Sequence, residues 1–228
     1  MIIAKFVAVV IMGYLLGSIP FGMLIGKRTA NLDVRRHGSG KIGATNVLRV
    51  AGKKAAALVV GFDALKGALA VVFAGLIIGN GYIVMGDYGV GLLTAQCLAA
   101  LAAMAGHNWS VFLRFKGGRG VATFFGGLIA LCPVVALFGG EVLIIGAGLT
   151  RFASLGSIAG AIGAYTILVP LTIMNGFPTE YLIYALIGTI TIIVMHRDNI
   201  SRLIAGKERR LGEKALETDS SPSDESTG

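Results

Sequence analysis

Gly106-His107-Asn108-Trp109-Ser110-Val111-Phe112-Leu113-Arg114-Phe115-Lys116-Gly117-Gly118-Arg119-Gly120-Val121-Ala122-Thr123 is the stretch on which the reading of this chain turns. It is a polar, cationic knot between two long apolar segments. Arg114, Lys116 and Arg119 are costly to place near hydrocarbon. Gly117, Gly118 and Gly120 allow backbone shapes that aim several N–H donors at one anion. A helix starting just after Gly120 adds its positive N-terminal end. At a membrane surface, this combination points to a phosphate site.

The membrane follows from composition. The 228 residues are 55% hydrophobic and only 14% charged, with a mean hydropathy of +0.79. That is too apolar for a soluble domain, and the charges cluster between the apolar runs, as in a polytopic membrane protein. The net charge of +8 is therefore an orientation signal in short loops rather than a nucleic-acid footprint. Cys97 and Cys132 stand in apolar runs without metal-ligand spacing, so each reads as a small buried apolar residue. No metal and no cofactor is expected.

Outward from the knot, the chain reads as seven membrane segments. The first, 2–25, is interrupted by Gly17-Ser18-Ile19-Pro20-Phe21-Gly22, which is either a packing kink or a break that opens the wall of a site. Residues 27–54 carry eight basic residues against Asp33 alone, which places this loop in the cytoplasm. Within it lies His37-Gly38-Ser39-Gly40-Lys41-Ile42-Gly43-Ala44-Thr45-Asn46-Val47-Leu48-Arg49. This run offers hydroxyl, amide, cationic and glycine groups, but not in the order of a nucleotide-binding P-loop, and no βαβ unit surrounds it. It is either a solvated basic loop or a second anion site.

Segment two, 54–79, holds Asp63 and Lys66, which three-residue spacing lets face each other or one cavity. They are either a structural ion pair or part of a site. The loop 80–88 has no basic residue and reads as external. Segment three, 89–113, returns to the knot, so both glycine-rich runs lie on the inner side. Residues 121–150 are too few for two full spans of about 20 residues each. The charge bias favours two short helices turning near Pro133, which returns Arg151 to the cytoplasm and places Glu141 against protein. Segment six, to about 174, begins beside Ser154 and Ser157. Segment seven, 180–195, runs into His196, Asn199 and Arg202, which share a helix face by their spacing of three. The expected architecture is all-α, with the N-terminus outside and the C-terminus cytoplasmic. Residues 1–206 form the membrane domain, and the charged tail 207–228 is expected to be disordered and without chemistry.

The runs Gly17–Gly22, Gly38–Arg49, Gly106–Thr123 and His196–Glu208 closely resemble the bacterial acyl-phosphate:glycerol-3-phosphate acyltransferases, the PlsY family. The resemblance covers most of residues 10–208, with several long motifs in order. It implies a seven-helix enzyme of the bacterial cytoplasmic membrane, with its active site at the cytoplasmic face. It implies transfer of a fatty acyl group from acyl phosphate to the sn-1 hydroxyl of glycerol 3-phosphate, giving lysophosphatidic acid and inorganic phosphate. Two departures stand out: Lys41 where the family often has a neutral residue, and Arg119 where lysine is frequent.

Under this resemblance, Ser39, Thr45, Asn46 and Arg49 cradle one phosphate, together with the backbone amides of Gly40, Gly43, Gly117, Gly118 and Gly120. Lys116, Ser154, His196 and Asn199 correspond to the glycerol-phosphate side and reacting centre. His107, Arg119 and Arg202 complete the substrate-binding set. Acyl phosphate is already activated, so the chain must mainly hold two anions and align a hydroxyl. No serine or cysteine nucleophile is required, and the proton acceptor is either His196 or the substrate phosphate. The His–x4–Asp pattern of other glycerolipid acyltransferases is absent, since Ile42, Phe112 and Ser201 follow the three histidines at that distance. The partners implied are the two substrates and membrane lipid, with no nucleic acid, for a protein expected to act as a monomer. The alternative is an organic-phosphate transporter, which would place its binding residues near the membrane centre.

Overall fold

Helix formation follows the apolar runs, and breaks fall where glycine, proline or charge interrupts them. The computed structural model describes residues 2–85 and 88–213. Helices α1 (Ile2–Ser18) and α2 (Phe21–Ala30) are separated at Pro20. Helix α3 (Ala44–Ile78) is followed by strands β1 (Ile83–Met85) and β2 (Tyr88–Val90). Then come α4 (Leu92–Asn108), α5 (Val121–Leu131), α6 (Pro133–Thr150), α7 (Ala153–Asn175), α8 (Thr179–Met195) and α9 (Arg197–Ile204).

Among the described residues, four helical stretches are long and apolar enough to cross a membrane. A fifth is added when α8 and α9, bent by 58°, are taken as one span. The first joins α1 and α2. Many large apolar side chains face outward, among them Leu76 at 75%, Leu149 at 82% and Ile173 at 77% exposure. In water that surface would be untenable, whereas hydrocarbon solvates it.

Association between helices then depends on close backbone approach, because lipid is as apolar as the interfaces it would leave. Gly17 of α1 meets the backbone of Ala103 in α4, and Gly126 of α5 meets that of Ala64 in α3. Neither site has room for a Cβ. One buried core joins α4 to α8, with Phe124 and Tyr184 stacked at 5.4 Å between ring centroids. A second joins α1, α3 and α4.

Several expectations change here. The chain is mostly rather than wholly helical: β1 and β2 pair antiparallel, Ile83 opposite Val90. Gly79, at φ 57°, stops α3, and the run Ile83-Val84-Met85 suits a strand. Helix α3 begins ten residues before the expected span. Gly52, at φ 82°, breaks it into a short first segment carrying Thr45, Asn46 and Arg49 and the long apolar shaft. Residues 121–150 do form two helices, broken at Cys132 before Pro133. Glu141, however, is exposed rather than set against protein. The face of α6 packed on α7 passes through Gly139, and two residues further along a helix lies roughly the opposite side.

Candidate functional site

The loop from Asn31 to Gly43 is held by its own small core rather than left to solvent. Val34, Ile42 and Val47 are at most 1% exposed and pack with Leu113. Asn46, expected to bind phosphate, is instead the keystone of this loop. Its Nδ2 lies 2.8, 2.9 and 3.1 Å from the carbonyls of Val34, Lys41 and His37. Its Oδ1 accepts from Ser39 N at 3.0 Å. The solvated-loop reading therefore fails, and Ser39 is fixed in place. Thr45 and Arg49, four apart on the first turns of α3, then point the same way.

These three side chains line a pocket completed by Arg119, by Ser154 and Ser157 of α7, by His196, Asn199 and Arg202, and by Glu208 and Arg209. Eight residues chosen from the sequence thus converge from four distant segments. Four arginines against one carboxylate give the walls a formal surplus of positive charge. Arg119 Nε, Arg49 Nε and Asn199 Oδ1 are buried without a hydrogen-bond partner among the described residues. Buried polar atoms of that kind are ordinarily satisfied, and these three belong to side chains that line the pocket. Burial and the nearby Arg202 bring Arg119 down to about 10, which leaves it a cation at neutral pH.

His196 sits at the bend between α8 and α9 and is 2% exposed. Its Nδ1 lies 2.8 Å from the Ile192 carbonyl, which can only accept, so Nδ1 carries the hydrogen. In the neutral ring, Nε2 is then the atom with a lone pair to offer. Glu208 organises the remaining wall. Its Oε1 accepts from Asn199 Nδ2 at 2.6 Å and from Ser154 Oγ at 2.9 Å, and its Oε2 from Arg202 Nε at 2.8 Å. Burial raises the carboxyl, but the bonds from Asn199, Ser154 and Arg202 outweigh it and hold the group below the usual range.

The other predicted residues lie elsewhere. Gly117 N and Gly118 N donate to the carbonyls of Asn108 and His107 at 3.1 and 3.0 Å. These amides cap the end of α4 and are not free for an anion. Gly120, at φ 78°, is the residue before α5, and its carbonyl accepts from Phe124 N. Gly40 N closes a turn onto His37, and the Gly43 carbonyl starts α3. Lys116 is exposed on the loop before Arg119 and does not line the pocket. His107, 3% exposed, is buried beneath that loop.

Glu208 and Arg209 overturn the expectation that the tail is inert from residue 207. Leu211 N donates to Arg151 O at 2.7 Å, and Arg49 Nη2 to Arg209 O at 3.3 Å. These two bonds hold residues 207–213 against the site. The only sequence signal for Glu208 was that it closes the fourth motif run; Arg209 had none. Residues 214–228 of that tail lie outside the described residues.

Fold and site together define an integral membrane protein with a cationic pocket at the converging ends of its helices. A family model described as glycerol-3-phosphate acyltransferase matches residues 7–206, and the chain belongs to that family. It is 66% identical over 215 residues to glycerol-3-phosphate acyltransferase 3 of Dehalococcoides mccartyi (strain CBDB1), covering 94% of this chain and 100% of that one. It is 40% identical over 204 residues to the glycerol-3-phosphate acyltransferase of Thermoanaerobacter sp. (strain X514), covering 90% and 94%. Two crystal structures of PlsY, an integral membrane glycerol 3-phosphate acyltransferase, share its fold. The glycerol 3-phosphate form matches with a TM-score of 0.78 and 39% identity over 91% of this chain and 96% of that one. The lysophosphatidic acid form matches with a TM-score of 0.76 and 38% identity over 91% and 95%.

Proposed function

We propose that the protein transfers a fatty acyl group from acyl phosphate to the sn-1 hydroxyl of glycerol 3-phosphate. The hydroxyl oxygen forms a bond to the acyl carbon, the bond from that carbon to the phosphate oxygen breaks, and lysophosphatidic acid and inorganic phosphate leave. The convergence of Arg49, Arg119 and Arg202 with His196 and Asn199 in one pocket carries this reading. Two anions must be brought together, and cations with oriented donors offset their repulsion.

Ser39, Thr45, Arg49 and Arg119 hold phosphate, while Ser154, Asn199 and Arg202 orient the glycerol phosphate. His196 Nε2 takes the hydroxyl proton. Lys116, exposed on the same loop, adds positive charge outside the pocket walls. No metal or cofactor enters the scheme. The forms named for the solved relatives, glycerol 3-phosphate and lysophosphatidic acid, match the proposed acceptor and product.

In this reading α1/α2, α3, α4, α5, α6, α7 and α8 are the seven membrane segments of a monomer in a bacterial inner membrane. The N-terminus is outside, and the pocket and C-terminus are cytoplasmic, because the basic loops flank the pocket. Residues 1–206 are the membrane domain, and the tail follows. A transporter would place its binding groups midway along helices; here they come from helix ends and loops.

Purified protein given labelled glycerol 3-phosphate with palmitoyl phosphate or palmitoyl-CoA, beside Arg119→Ala and Lys116→Ala, tests the proposal. Lysophosphatidic acid from the phosphate donor alone, diminished in Arg119→Ala, is expected. Turnover with the thioester alone overturns the donor, and uptake of glycerol 3-phosphate into proteoliposomes without acylation would favour the transporter.

A further inference from the structure

A second polar cluster lies outside the pocket. Asp63 and Lys66 on α3 are 2% and 1% exposed, and Lys66 Nζ is 2.8 Å from Asp63 Oδ1. The same Lys66 Nζ donates to the carbonyl of Ile19 at 3.1 Å. That carbonyl sits at the α1–α2 break, where Pro20 supplies no N–H. On its other side Asp63 Oδ1 is 3.4 Å from His107 Nδ1. His107 in turn lies directly under the glycine loop: Gly118 N donates to its carbonyl, and a Cβ on Gly118 would run into its Nε2. The next residue is Arg119, in the pocket wall.

The break at Ile19 leads equally directly to the opposite wall. Helix α2 follows it, and Gly22 of α2 packs on the backbone carbonyl of Ile42. Ile42 lies in the loop that carries Ser39 and Thr45. One ion pair is therefore connected to both loops that meet across the pocket. A buried pair is weak evidence of a stability role, because apolar replacements of similar volume often serve as well or better. What such replacements cannot reproduce is the Lys66 bond to Ile19 O together with a carboxylate placed 3.4 Å from His107 Nδ1.

We propose that Asp63 and Lys66 are positioning residues, acting through Ile19 and His107 to set the two anion-binding loops in register. The proposal rests on the acyltransfer reading for its kinetic test, but its structural test does not. The variants are Asp63→Asn, Lys66→Met and the two combined, purified in detergent. The single variants leave one polar group unmatched and are expected to lose thermal stability. The double variant removes both charges and is expected to recover most of that loss. Its KM for glycerol 3-phosphate should nonetheless stay raised by about tenfold or more with kcat little changed, the pattern of weakened binding common to ground and transition states. A double variant with recovered stability and a wild-type KM overturns the proposal.

Hydrogen–deuterium exchange over residues 37–49 and 114–120 gives a readout independent of any assay. Faster exchange confined to these two segments is expected, and unchanged exchange overturns the proposal. If the double variant does not fold, His107→Leu keeps the ion pair and the backbone bond from Gly118 N, and removes only the imidazole between Asp63 and the glycine loop. Faster exchange at 114–120 supports the proposal, and wild-type exchange there overturns it. Wild-type protein that makes no lysophosphatidic acid would sink the acyltransfer reading, and the exchange result would still decide the role of the pair.

Discussion

Glu208, nine residues beyond Asn199, accepts a 2.6 Å hydrogen bond from the Asn199 side-chain amide. The same Oε1 atom accepts from Ser154. One carboxylate oxygen thus fixes two polar side chains from different helices, while the other pairs with Arg202. Hydrogen bonds to charged groups contribute about 1.5–3 kcal/mol each, and about 1.4 kcal/mol is a tenfold change in rate. Glu208→Ala should therefore lower kcat/KM by roughly ten- to a hundredfold. Glu208→Gln, which keeps one acceptor oxygen, should lose less. Full activity in Glu208→Ala would remove this residue from the site.

Arg119→Ala removes a cation whose Nε is buried without a partner among the described residues. Its loss should raise the KM for glycerol 3-phosphate by roughly ten- to a hundredfold, with a smaller change in kcat. Arg119→Lys restores charge but not the planar fork, so it should recover only part of the affinity. Because Arg119 loses its proton near 10, its contribution should be flat across neutral pH. Steady-state kinetics at two or three pH values check both statements.

His196→Asn removes the Nε2 lone pair while leaving a side chain that reaches the same region. A positioned general base contributes about 10²–10⁴-fold, so kcat should fall by that order with KM nearly unchanged. A defect confined to KM would instead assign the proton to the phosphate of the substrate.

Asp33 holds Arg35 through a 2.7 Å ion pair and accepts from the Arg35 amide at 3.0 Å. The Arg35 side-chain hydrogen bond is the main cause that brings its carboxyl from the usual 3.8 to about 2. A depressed folded value means that the stabilisation is fully present above 3.8 and is lost as pH falls through 2. Exchange at the Arg35 amide should therefore rise, relative to its intrinsic rate, between pH 4 and 2. Asp33→Asn should abolish that dependence.

Gly17 and Gly106 lie where α1 and α4 cross with backbones in contact. A methyl at either position must push the helices apart, and overpacking of this kind costs about 1–3 kcal/mol. Gly17→Ala and Gly106→Ala should each lower the thermal midpoint in detergent. Gly61→Ala, with nothing within 4 Å of the added Cβ, should not.

Much of this was legible in the sequence because the bilayer imposes simple rules. Apolar length located the helices, and thirty residues between Val121 and Thr150 were correctly divided near Pro133. Ser39, Thr45, Arg49, Arg119, Ser154, His196, Asn199 and Arg202 were picked out by chemistry, motif and resemblance, and they meet in the pocket. The errors share a cause. Asn46, Gly117 and Gly118 are polar or donor-rich in sequence, but their hydrogen-bonding capacity is used by neighbouring backbone, a partnership that sequence does not display. Glu208 is hidden in the sequence because a charged segment after a last helix has the composition of a free tail.

The sequence by itself determined that this chain lives in a membrane, that helices break at Pro20 and near Pro133, and where its cationic segments lie. Those properties follow from local composition and from the cost of burying charge and unpaired backbone in hydrocarbon. Only the tertiary structure decided which donors are used by neighbouring backbone, that the buried Asp63–Lys66 pair reaches the α1–α2 break at Ile19, and that Glu208 returns to the site. The physical reason is that hydrogen-bond satisfaction belongs to pairs of groups, and the pairs are chosen by packing between distant segments.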